Sequence, residues 1–478
     1  MEPVFSFDLD LPARGEGTLA QSLHRQLRDA ILDARLVAGA TLPSTRRVAG
    51  AFGIARNTVV AAYDLLVAEG YVLPRTGAKP VVADIASRRA PERLHAGDDA
   101  RLNPAWRQPA LQREPARVLP ERCFRLGIPE HKHFPHDTWR RLTAQALRSW
   151  SRSRFGYPPS DGIPELREAI ARHVAFARAV ACTADDVVVT SGAQQALDLI
   201  ARALVVPGRT KVAVENPGYP PARAAFLAAG AQLVPMEVDD EGLCVEQLPA
   251  DVRIVCVTPS HQSPTGVALS LPRRRALLDF ARQHDAVVVE DDYDGEFRFG
   301  GRPLDALQTL DRDARVFYVG TFSKSLFPAL RKGFVVAPRW ARDTLATVKH
   351  CVDSHSDIVT QSVLAAFIRD GHLARHVRRM RPIYAARRQA LLAGLGGLQR
   401  WLEPIPSEAG LHLATRILDP GRKDAILAAM HRHAPGAQSI EEYAMAPVAR
   451  PAVTFGYGVM DAEAIGPALQ QLRRSLSR

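Results

Sequence analysis

The sequence predicts an α/β protein, in which a small helical N-terminal region precedes a large domain built on a mainly parallel sheet. From Glu121 onward, short β-rich runs alternate with helical patterns, which is typical of such domains. Residues 1–82 read instead as helices followed by a short hairpin. Residues 83–120 are rich in Ala, Arg and Pro and lack sustained apolar periodicity. We therefore expect an N-terminal domain over 1–82, a linker over 83–120 and a large domain over 121–478.

The bulk composition narrows the classes of function. The chain has 478 residues, 46% of them hydrophobic, which is enough for a large core. No apolar run approaches the ~20 residues of a membrane helix, and the N-terminus lacks the layout of a signal peptide. The five cysteines are scattered without a CxxC pair, which predicts reduced thiols, a cytoplasmic location and no metal site. The net charge of +11 favours a polyanionic partner.

The N-terminal region contains the pattern of a DNA-reading helix pair. One amphipathic helix is predicted from apolar residues at helical spacing, namely Leu19, Leu23, Leu27 and Ile31. Two short helices follow around Gly53, with Ser44 at the N-cap position of the first. The last helix opens with Arg56-Asn57-Thr58 and continues with an apolar stripe, as a recognition helix in a major groove requires. Residues 34–56 hold four arginines and no acid.

Residues 18–82 resemble the winged helix-turn-helix of the GntR family. The family pattern LPSxRxLAxxLGVSRNTVxxAYxxLxxEGYL is matched here by LPSTRRVAGAFGIARNTVVAAYDLLVAEGYV. The resemblance implies a double-stranded DNA operator as partner. It also implies that seven residues face DNA: Ser44, Arg46, Arg56, Asn57 and Thr58 on the helices, and Arg75 and Gly77 on the wing. The wing departs from the common glycine-rich turn. The alternative is a structural helical hairpin with surface arginines.

Two strand ends in the large domain carry features suited to a flat phosphorylated ligand. In VVVTSGAQQALDLI, the backbone amides of Gly192, Ala193 and Gln194 would lie at a helix N-terminus, which is a natural phosphate site. Tyr219 follows the next strand, where its ring could stack on a planar cofactor. Plain helix capping and core packing are the alternatives for these two motifs.

Two later strand ends add the chemistry of pyridoxal phosphate (PLP). In DAVVVEDDYDGEF, a buried carboxylate could hold a pyridine nitrogen protonated, and a tyrosine hydroxyl could bond the ring oxygen. In VFYVGTFSKSLFPALRKGF, Lys324 is flanked by small and apolar residues, which lower the pKa of an amine toward imine chemistry. Thr321 and Ser323 offer hydroxyls, and Arg331 offers a planar fork to a phosphate. Together they predict a PLP site beyond the carboxyl ends of the strands.

Residues 121–478 resemble the fold-type-I aminotransferases, on the strength of these motifs in this order. The resemblance implies that Lys324 forms the internal aldimine and that Arg331 binds the phosphate. It implies that Asp291 pairs with the pyridinium and that Tyr293 contacts the ring oxygen. Tyr157, in GYPPSDG, matches a tyrosine that family members lend to the phosphate across the dimer interface.

The sequence departs from many aminotransferases at two places. Residues 263–266 read Ser-Pro-Thr-Gly where many members have NPxG, so an asparagine bond to the ring oxygen is missing. The last strand, PAVTFGYGVM, has Thr454 at about the place where many members hold the substrate carboxylate with an arginine. Either Arg416 or Arg223 substitutes for that arginine, or the ligand is gripped differently.

The whole chain resembles the MocR-type transcription regulators, which join a GntR-like DNA reader to an aminotransferase-like domain. The resemblance implies a head-to-tail homodimer that senses PLP, alone or joined to an amine effector. PLP itself, GABA, taurine and a D-amino acid remain open as the effector. The alternative is a working aminotransferase with an auxiliary DNA-binding module. The basic stretch 372–389 is either a solvated helix face or a nucleic-acid contact.

Overall fold

The structure, a computed structural model, describes most of the chain: residues 4–12, 18–75, 78–84, 101, 103–111, 120, 123–152, 156–300 and 305–477. The chain divides into two compact units, Met1–Leu102 and Asn103–Arg478. The division falls within the linker expected over 83–120, and the domain boundaries given above remain predictions.

The described residues of the N-terminal unit form three helices and a two-stranded antiparallel sheet. Its elements are α1 (Leu19–Leu32), α2 (Thr45–Phe52), α3 (Arg56–Ala68), β1 (Val72–Leu73) and β2 (Val81–Val82). The Ser44 side chain caps α2 by accepting a hydrogen bond from the Arg47 amide at 3.3 Å. Gly53 ends α2 in the left-handed conformation, with a φ of 62°. This turn sets the direction in which α3 leaves α2.

The burial pattern of α3 explains which side of the helix stays free. Val59, Ala62, Tyr63 and Leu66 are buried and recur at three- and four-residue spacing, so they form one stripe against α1. The Tyr63 hydroxyl donates a hydrogen bond to the Pro43 carbonyl at 2.9 Å, which ties α3 to the residue before the α2 cap. The start of α3 therefore projects from the packed stripe.

The large unit is built on an eight-stranded sheet with the strand order β3-β10-β9-β8-β7-β4-β5-β6. Strands β9, β8, β7, β4 and β5 run parallel, and β10 and β6 pair antiparallel with their neighbours. The strands are β3 (Val187–Thr190), β4 (Lys211–Asn216), β5 (Gln232–Asp239), β6 (Gly242–Leu243), β7 (Val252–Val257), β8 (Val287–Asp292), β9 (Val316–Thr321) and β10 (Gly333–Val336). The predicted α/β class with a mainly parallel sheet is confirmed.

Helices cover both faces of this sheet. The helices of the large unit that precede β10 in the chain are α4 (His136–Trp150), α5 (Pro164–Arg178), α6 (Ala193–Leu204), α7 (Pro220–Ala228), α8 (Leu271–Gln283) and α9 (Leu307–Leu310). Along β7, Ile254 packs into one hydrophobic cluster and Val255 into another, because successive side chains point to opposite faces. Burial on both faces explains the valine-rich strands that the sequence shows.

The C-terminal part adds a second, antiparallel sheet with the strand order β11-β12-β14-β13. Its elements, with the helices around it, are α10 (Arg342–Asp353), α11 (Ile358–Arg369), α12 (His372–Leu395), β11 (Leu402–Pro404), β12 (His412–Ile417), α13 (Lys423–His433), β13 (Gln438–Ser439), β14 (Ala452–Gly456) and α14 (Ala462–Leu476). Among the described helices, none combines the length and apolarity needed to span a bilayer.

Candidate functional site

A cavity of about 330 Å³ lies where the carboxyl ends of β8 and β9 meet the N-termini of α6 and α7. The sequence-predicted residues that line it are Ala193, Gln194, Tyr219, Asp291, Tyr293, Thr321, Ser323, Lys324 and Arg331. The parallel strands end at one edge of the sheet, which is why motifs far apart in the sequence converge. The structure thus brings together all but two of the residues proposed to hold PLP, and those two are Gly192 and Tyr157.

Asp291 is a buried carboxyl group that forms no ion pair among the described residues. It is only 3% exposed, and its Oδ1 atom has no hydrogen-bond partner among the described residues. The neighbouring Asp292 points to the opposite face of β8, where it accepts from Arg178 Nε at 2.6 Å and from the Tyr318 hydroxyl at 2.7 Å. Burial raises the pKa of the Asp291 carboxyl to about 7, Asp292 adds to the rise and Lys324 opposes it.

Lys324 lies just after β9, with its amine held by a backbone carbonyl. Its Nζ atom donates to the Gly127 carbonyl oxygen at 2.7 Å. The φ at Gly127 is +73°, which favours glycine, and a Cβ atom there would lie 2.6 Å from that Nζ, so a side chain would displace the amine. Burial lowers the pKa of the Lys324 amine, although the nearby Asp294 and Asp291 oppose the shift. A larger neutral fraction makes the amine a better nucleophile.

Arg331 lies against the turn that leads into α6. Its Nη2 atom donates to the Ser191 carbonyl at 2.8 Å. A Cβ atom at Gly192 would lie 3.1 Å from the Arg331 guanidinium, so this glycine permits the close approach even though it does not line the cavity. The first-turn amides of α6, at Ala193 and Gln194, have no acceptor within their own helix. An arginine beside free amides is a cradle for a phosphate.

The hydroxyls beside Lys324 and the ring of Tyr219 complete the inner wall of the cavity. The Thr321 hydroxyl donates to the Ser323 hydroxyl at 3.0 Å, and the Ser323 amide donates back to Thr321 at 3.2 Å. Tyr219 occupies the N-cap of α7, and burial raises the pKa of its phenol to about 12. The ring therefore stays neutral and offers a flat, largely apolar face to a ligand.

Tyr293 belongs to a buried polar network that the sequence did not indicate. Its hydroxyl lies 3.0 Å from His261 Nδ1, and the same nitrogen lies 3.0 Å from Asp294. The His412 ring packs 4.5 Å from the His261 ring. Donor atoms of His261, Asp294 and His412 fall within 4.8 Å of one another, but His261 Nδ1 is already hydrogen-bonded. We interpret the group as a network that orients Tyr293.

These features fit PLP. The unpartnered Asp291 oxygen can accept a hydrogen bond from a protonated ring nitrogen, and Lys324 offers an amine of lowered pKa. The Arg331 cradle lies on the α6 side of the same cavity. Ser263 lines the cavity in the segment where many aminotransferases carry asparagine, so a short hydroxyl replaces a longer amide there.

The two arginines considered as substitutes in the carboxylate grip both have other partners. Arg416 forms an ion pair with Asp240 and lies 3.4 Å from Glu403, and it lines a different cavity. Arg223 donates to the Tyr443 carbonyl at 2.7 Å. Thr454 is buried in β14. None of the three lines the cavity that contains Lys324.

Tyr157 lies apart from the cavity. Its side chain is 92% exposed, and its ring packs 5.9 Å from the His355 ring. The role expected for it, contact with a phosphate across a dimer interface, involves a second subunit and remains a prediction.

Several cavity residues were not indicated by the sequence. They are Arg125, Leu126, Gly127, Ile128, Ser263, Pro328, His412 and Tyr443. The segment 125–128 reaches the cavity through two main-chain bonds, from the Phe124 amide to Pro435 and from the Gly456 amide to Phe124. These long-range bonds leave no local signal beyond the short glycine-containing run.

The predicted DNA-facing residues lie at the start of α3 and around α2. Ser44, Arg46, Arg56 and Asn57 are exposed, and Thr58 is half-buried. The Arg56 Nε atom donates to the Thr45 hydroxyl at 3.3 Å, so the side chain bridges the two helices. Arg75 is exposed after β1, whereas Gly77 lies outside the described residues. The arrangement presents a cationic helix start to a polyanion.

Comparisons with known proteins match both units. Residues 19–79 match the family described as bacterial regulatory proteins of the gntR family, and residues 122–431 match aminotransferase class I and II. The probable rhizopine catabolism regulatory protein MocR of Rhizobium meliloti is 38% identical over 86% of this chain and 83% of its own. The chain belongs to the MocR-type regulators of the GntR family. This identification explains why one chain contains both units.

Two further relatives show the range of proteins with which this MocR-type chain shares its parts. The pyridoxine biosynthesis transcriptional regulator PdxR of Corynebacterium glutamicum is 29% identical over 96% of each chain. The structure of Pyrococcus horikoshii kynurenine aminotransferase matches with a TM-score of 0.68 and 27% identity, over 74% of this chain and 90% of that one. The first shares the whole domain organisation, and the second shares the fold of the large unit.

We predict that Asp291 makes the cofactor-free protein less stable as pH rises. Its pKa in the folded state, about 7, lies above the ordinary value of 3.8, so its contribution to stability is full below pH 3.8 and is lost as pH rises toward 7. Between about pH 5 and pH 7, the free energy of unfolding of the wild type should therefore fall by about 1–3 kcal/mol more than that of Asp291→Asn. Denaturant unfolding at several pH values measures it.

Asp313→Asn, a change at an exposed acid, is the matched control and should follow the wild-type profile. Equal pH profiles for wild type and Asp291→Asn would show that the Asp291 carboxyl titrates normally in the folded protein.

Proposed function

We propose that this protein is a transcription regulator that binds an operator through α3 and senses PLP, or PLP joined to an amine, at Lys324. The large unit then acts as a ligand-binding module and not as an enzyme with physiological turnover. The regulator acts as a head-to-tail homodimer in which Tyr157 reaches the site of the partner subunit.

The observation that carries the ligand proposal is the unpartnered, buried Asp291 oxygen in the same cavity as Lys324 and Arg331. A carboxylate deprived of both water and a partner is unfavourable, and a protonated ring nitrogen in the cavity removes that penalty. When bound, PLP supplies an aldehyde that reacts with amines and a ring that withdraws electrons. The similarity to a regulator of pyridoxine biosynthesis supports a ligand of this chemistry.

The N-terminal unit supports operator binding. Its recognition helix opens with the exposed Arg56 and Asn57, and the exposed Ser44 caps the neighbouring helix α2. Arginine and asparagine are the side chains best suited to bidentate contacts with guanine and adenine edges. These contacts would supply sequence reading, and Arg46 and Arg47 would add contacts to phosphates.

Sensing requires that the ligand favour one arrangement of the protein over another, because only differential affinity shifts an equilibrium. Lys324 provides a local difference between two states. In the state described here its amine holds the Gly127 carbonyl. A ligand that engages the amine removes this bond and frees the 124–127 segment from one of its attachments.

The alternative function is a working aminotransferase with an auxiliary DNA-binding module. It draws support from the complete inner wall of the cavity and from the fold shared with kynurenine aminotransferase. The buried Thr454 in β14, at about the place where many aminotransferases use an arginine, favours the regulator. Slow or partial transamination is compatible with the regulator.

We predict that the PLP-loaded protein absorbs visible light through a covalent bond to Lys324. Lys324→Ala should abolish this absorbance and leave no adduct that borohydride can fix, because Lys324 is the lysine that lines the cavity among the described residues. Lys423→Ala, at a lysine on α13 that does not line the cavity, is the control and should keep both signals. An unchanged visible spectrum in Lys324→Ala would refute the assignment.

We predict that Arg56→Ala weakens operator binding by about 1–3 kcal/mol, the usual loss for one good base contact. PLP loading, followed by visible absorbance, should not change. Arg28→Ala, which removes a cation from α1, controls for general electrostatics. Fluorescence anisotropy on a specific DNA fragment and on a scrambled one separates the two effects, and equal specific affinity of Arg56→Ala and wild type would contradict the prediction.

We predict that PLP, with or without an amine, changes operator affinity or DNA geometry by about 1–3 kcal/mol of coupling. The measurement is operator titration with footprinting of the cofactor-free protein, the PLP-loaded protein and the PLP-loaded protein with candidate amines. Lys324→Ala serves as the uncoupled control. Identical binding in all states, together with rapid multiple-turnover transamination, would favour the enzyme.

A further inference from the structure

The cavity contains one cation that the cofactor proposal does not use. The lysine and arginine residues lining it are Arg125, Lys324 and Arg331. Lys324 and Arg331 are assigned to the aldehyde and the phosphate of PLP. Arg125 is exposed, and its side chain has no hydrogen bond or ion pair among the described residues. Asp291 is the single acid in the lining and is assigned to the ring nitrogen, so Arg125 has no counter-charge there.

The backbone of Arg125 is fixed against the end of the last strand. The Phe124 amide donates to the Pro435 carbonyl at 2.8 Å, and the Gly456 amide donates to the Phe124 carbonyl at 2.9 Å. A Cβ atom at Gly456 would lie 2.1 Å from the Arg125 carbonyl oxygen, so only glycine lets β14 approach this closely. These contacts hold the residue in place before any ligand arrives, which reduces the ordering cost of binding.

The same segment places Arg125 close to the reactive amine. Gly127, two residues later, accepts the hydrogen bond from Lys324 Nζ at 2.7 Å. Two residues of extended chain span at most about 7 Å. The arginine therefore lies within reach of a small molecule whose amino group faces Lys324.

We propose that Arg125 binds the acidic group of the amine effector, in place of the arginine that β14 lacks. The ligand class is an amine with a carboxylate or sulfonate group, that is, an amino acid or an amino sulfonate. A guanidinium forms charge-assisted, bidentate hydrogen bonds with such groups. The assignment rests on the proposed function, since it takes PLP at Lys324 as given.

The test uses the full-length, PLP-loaded protein and amines in matched pairs with and without an acid. The pairs are 4-aminobutyrate with butylamine, taurine with ethylamine, and alanine with alaninamide. Apparent affinity is read from the change in visible absorbance. The variants are Arg125→Ala, Arg125→Lys as the charge-keeping change, and Arg416→Ala as the matched control, because Arg416 is ion-paired in another cavity.

Wild type should bind the acidic member of at least one pair more tightly than the neutral one, by about 10- to 100-fold. Arg125→Ala should lose this preference while it keeps PLP absorbance and its affinity for the neutral amine. Arg125→Lys should regain part of it, and Arg416→Ala should match wild type.

An acid preference that survives in Arg125→Ala, or that disappears in Arg416→Ala, would overturn the assignment of Arg125. A wild type with no preference in any pair would overturn it as well. A wild type that takes up no PLP would instead refute the proposed function and, with it, this inference. The two failures are distinguished by the visible absorbance before any amine is added.

Discussion

The large unit depends on one electrostatic constraint, a carboxylate buried at the end of β8 without a partner. The alternation of a strand sends Asp292 to Arg178 and Tyr318 on one face and leaves Asp291 alone on the other. The fold tolerates this unfavourable burial because Asp291 lines a cavity whose occupant can provide the missing hydrogen-bond donor. The same cavity contains Lys324, whose pKa burial lowers, and the ring of Tyr219, whose pKa burial and Asp291 raise.

The strand-end residues were predictable from the sequence because parallel strands finish at a common edge. Asp291, Lys324 and Tyr219 each follow a recognisable apolar run, so their convergence follows from the topology alone. Arg125, Gly127 and His412 could not be found in this way. They enter the cavity through pairings between distant segments, such as Phe124 with Gly456, and no local pattern encodes such contacts. The roles of Tyr157 and Gly77 depend on a second subunit or lie outside the described residues, so they remain predictions.

The proposed regulator has some of the ligand contacts that its resemblance to aminotransferases implies and lacks another. The residues to which the resemblance assigns the cofactor, Asp291, Lys324 and Arg331, all line one cavity. In the last strand, at about the place where many aminotransferases hold the substrate with an arginine, this chain has the buried Thr454. Binding the cofactor well while gripping the substrate differently suits a protein that reports a ligand, because catalysis needs precise orientation of the substrate and detection does not.

Under the proposed function, the hydrogen bond from Lys324 Nζ to the Gly127 carbonyl links ligand binding to a change in the protein. The amine cannot serve a ligand and the carbonyl at once, so each binding event leaves the Gly127 oxygen in need of another donor. Gly127 follows the linker expected over 83–120 in the chain. Under the proposed function, a ligand that takes up the amine therefore releases a bond in a segment that comes soon after that linker.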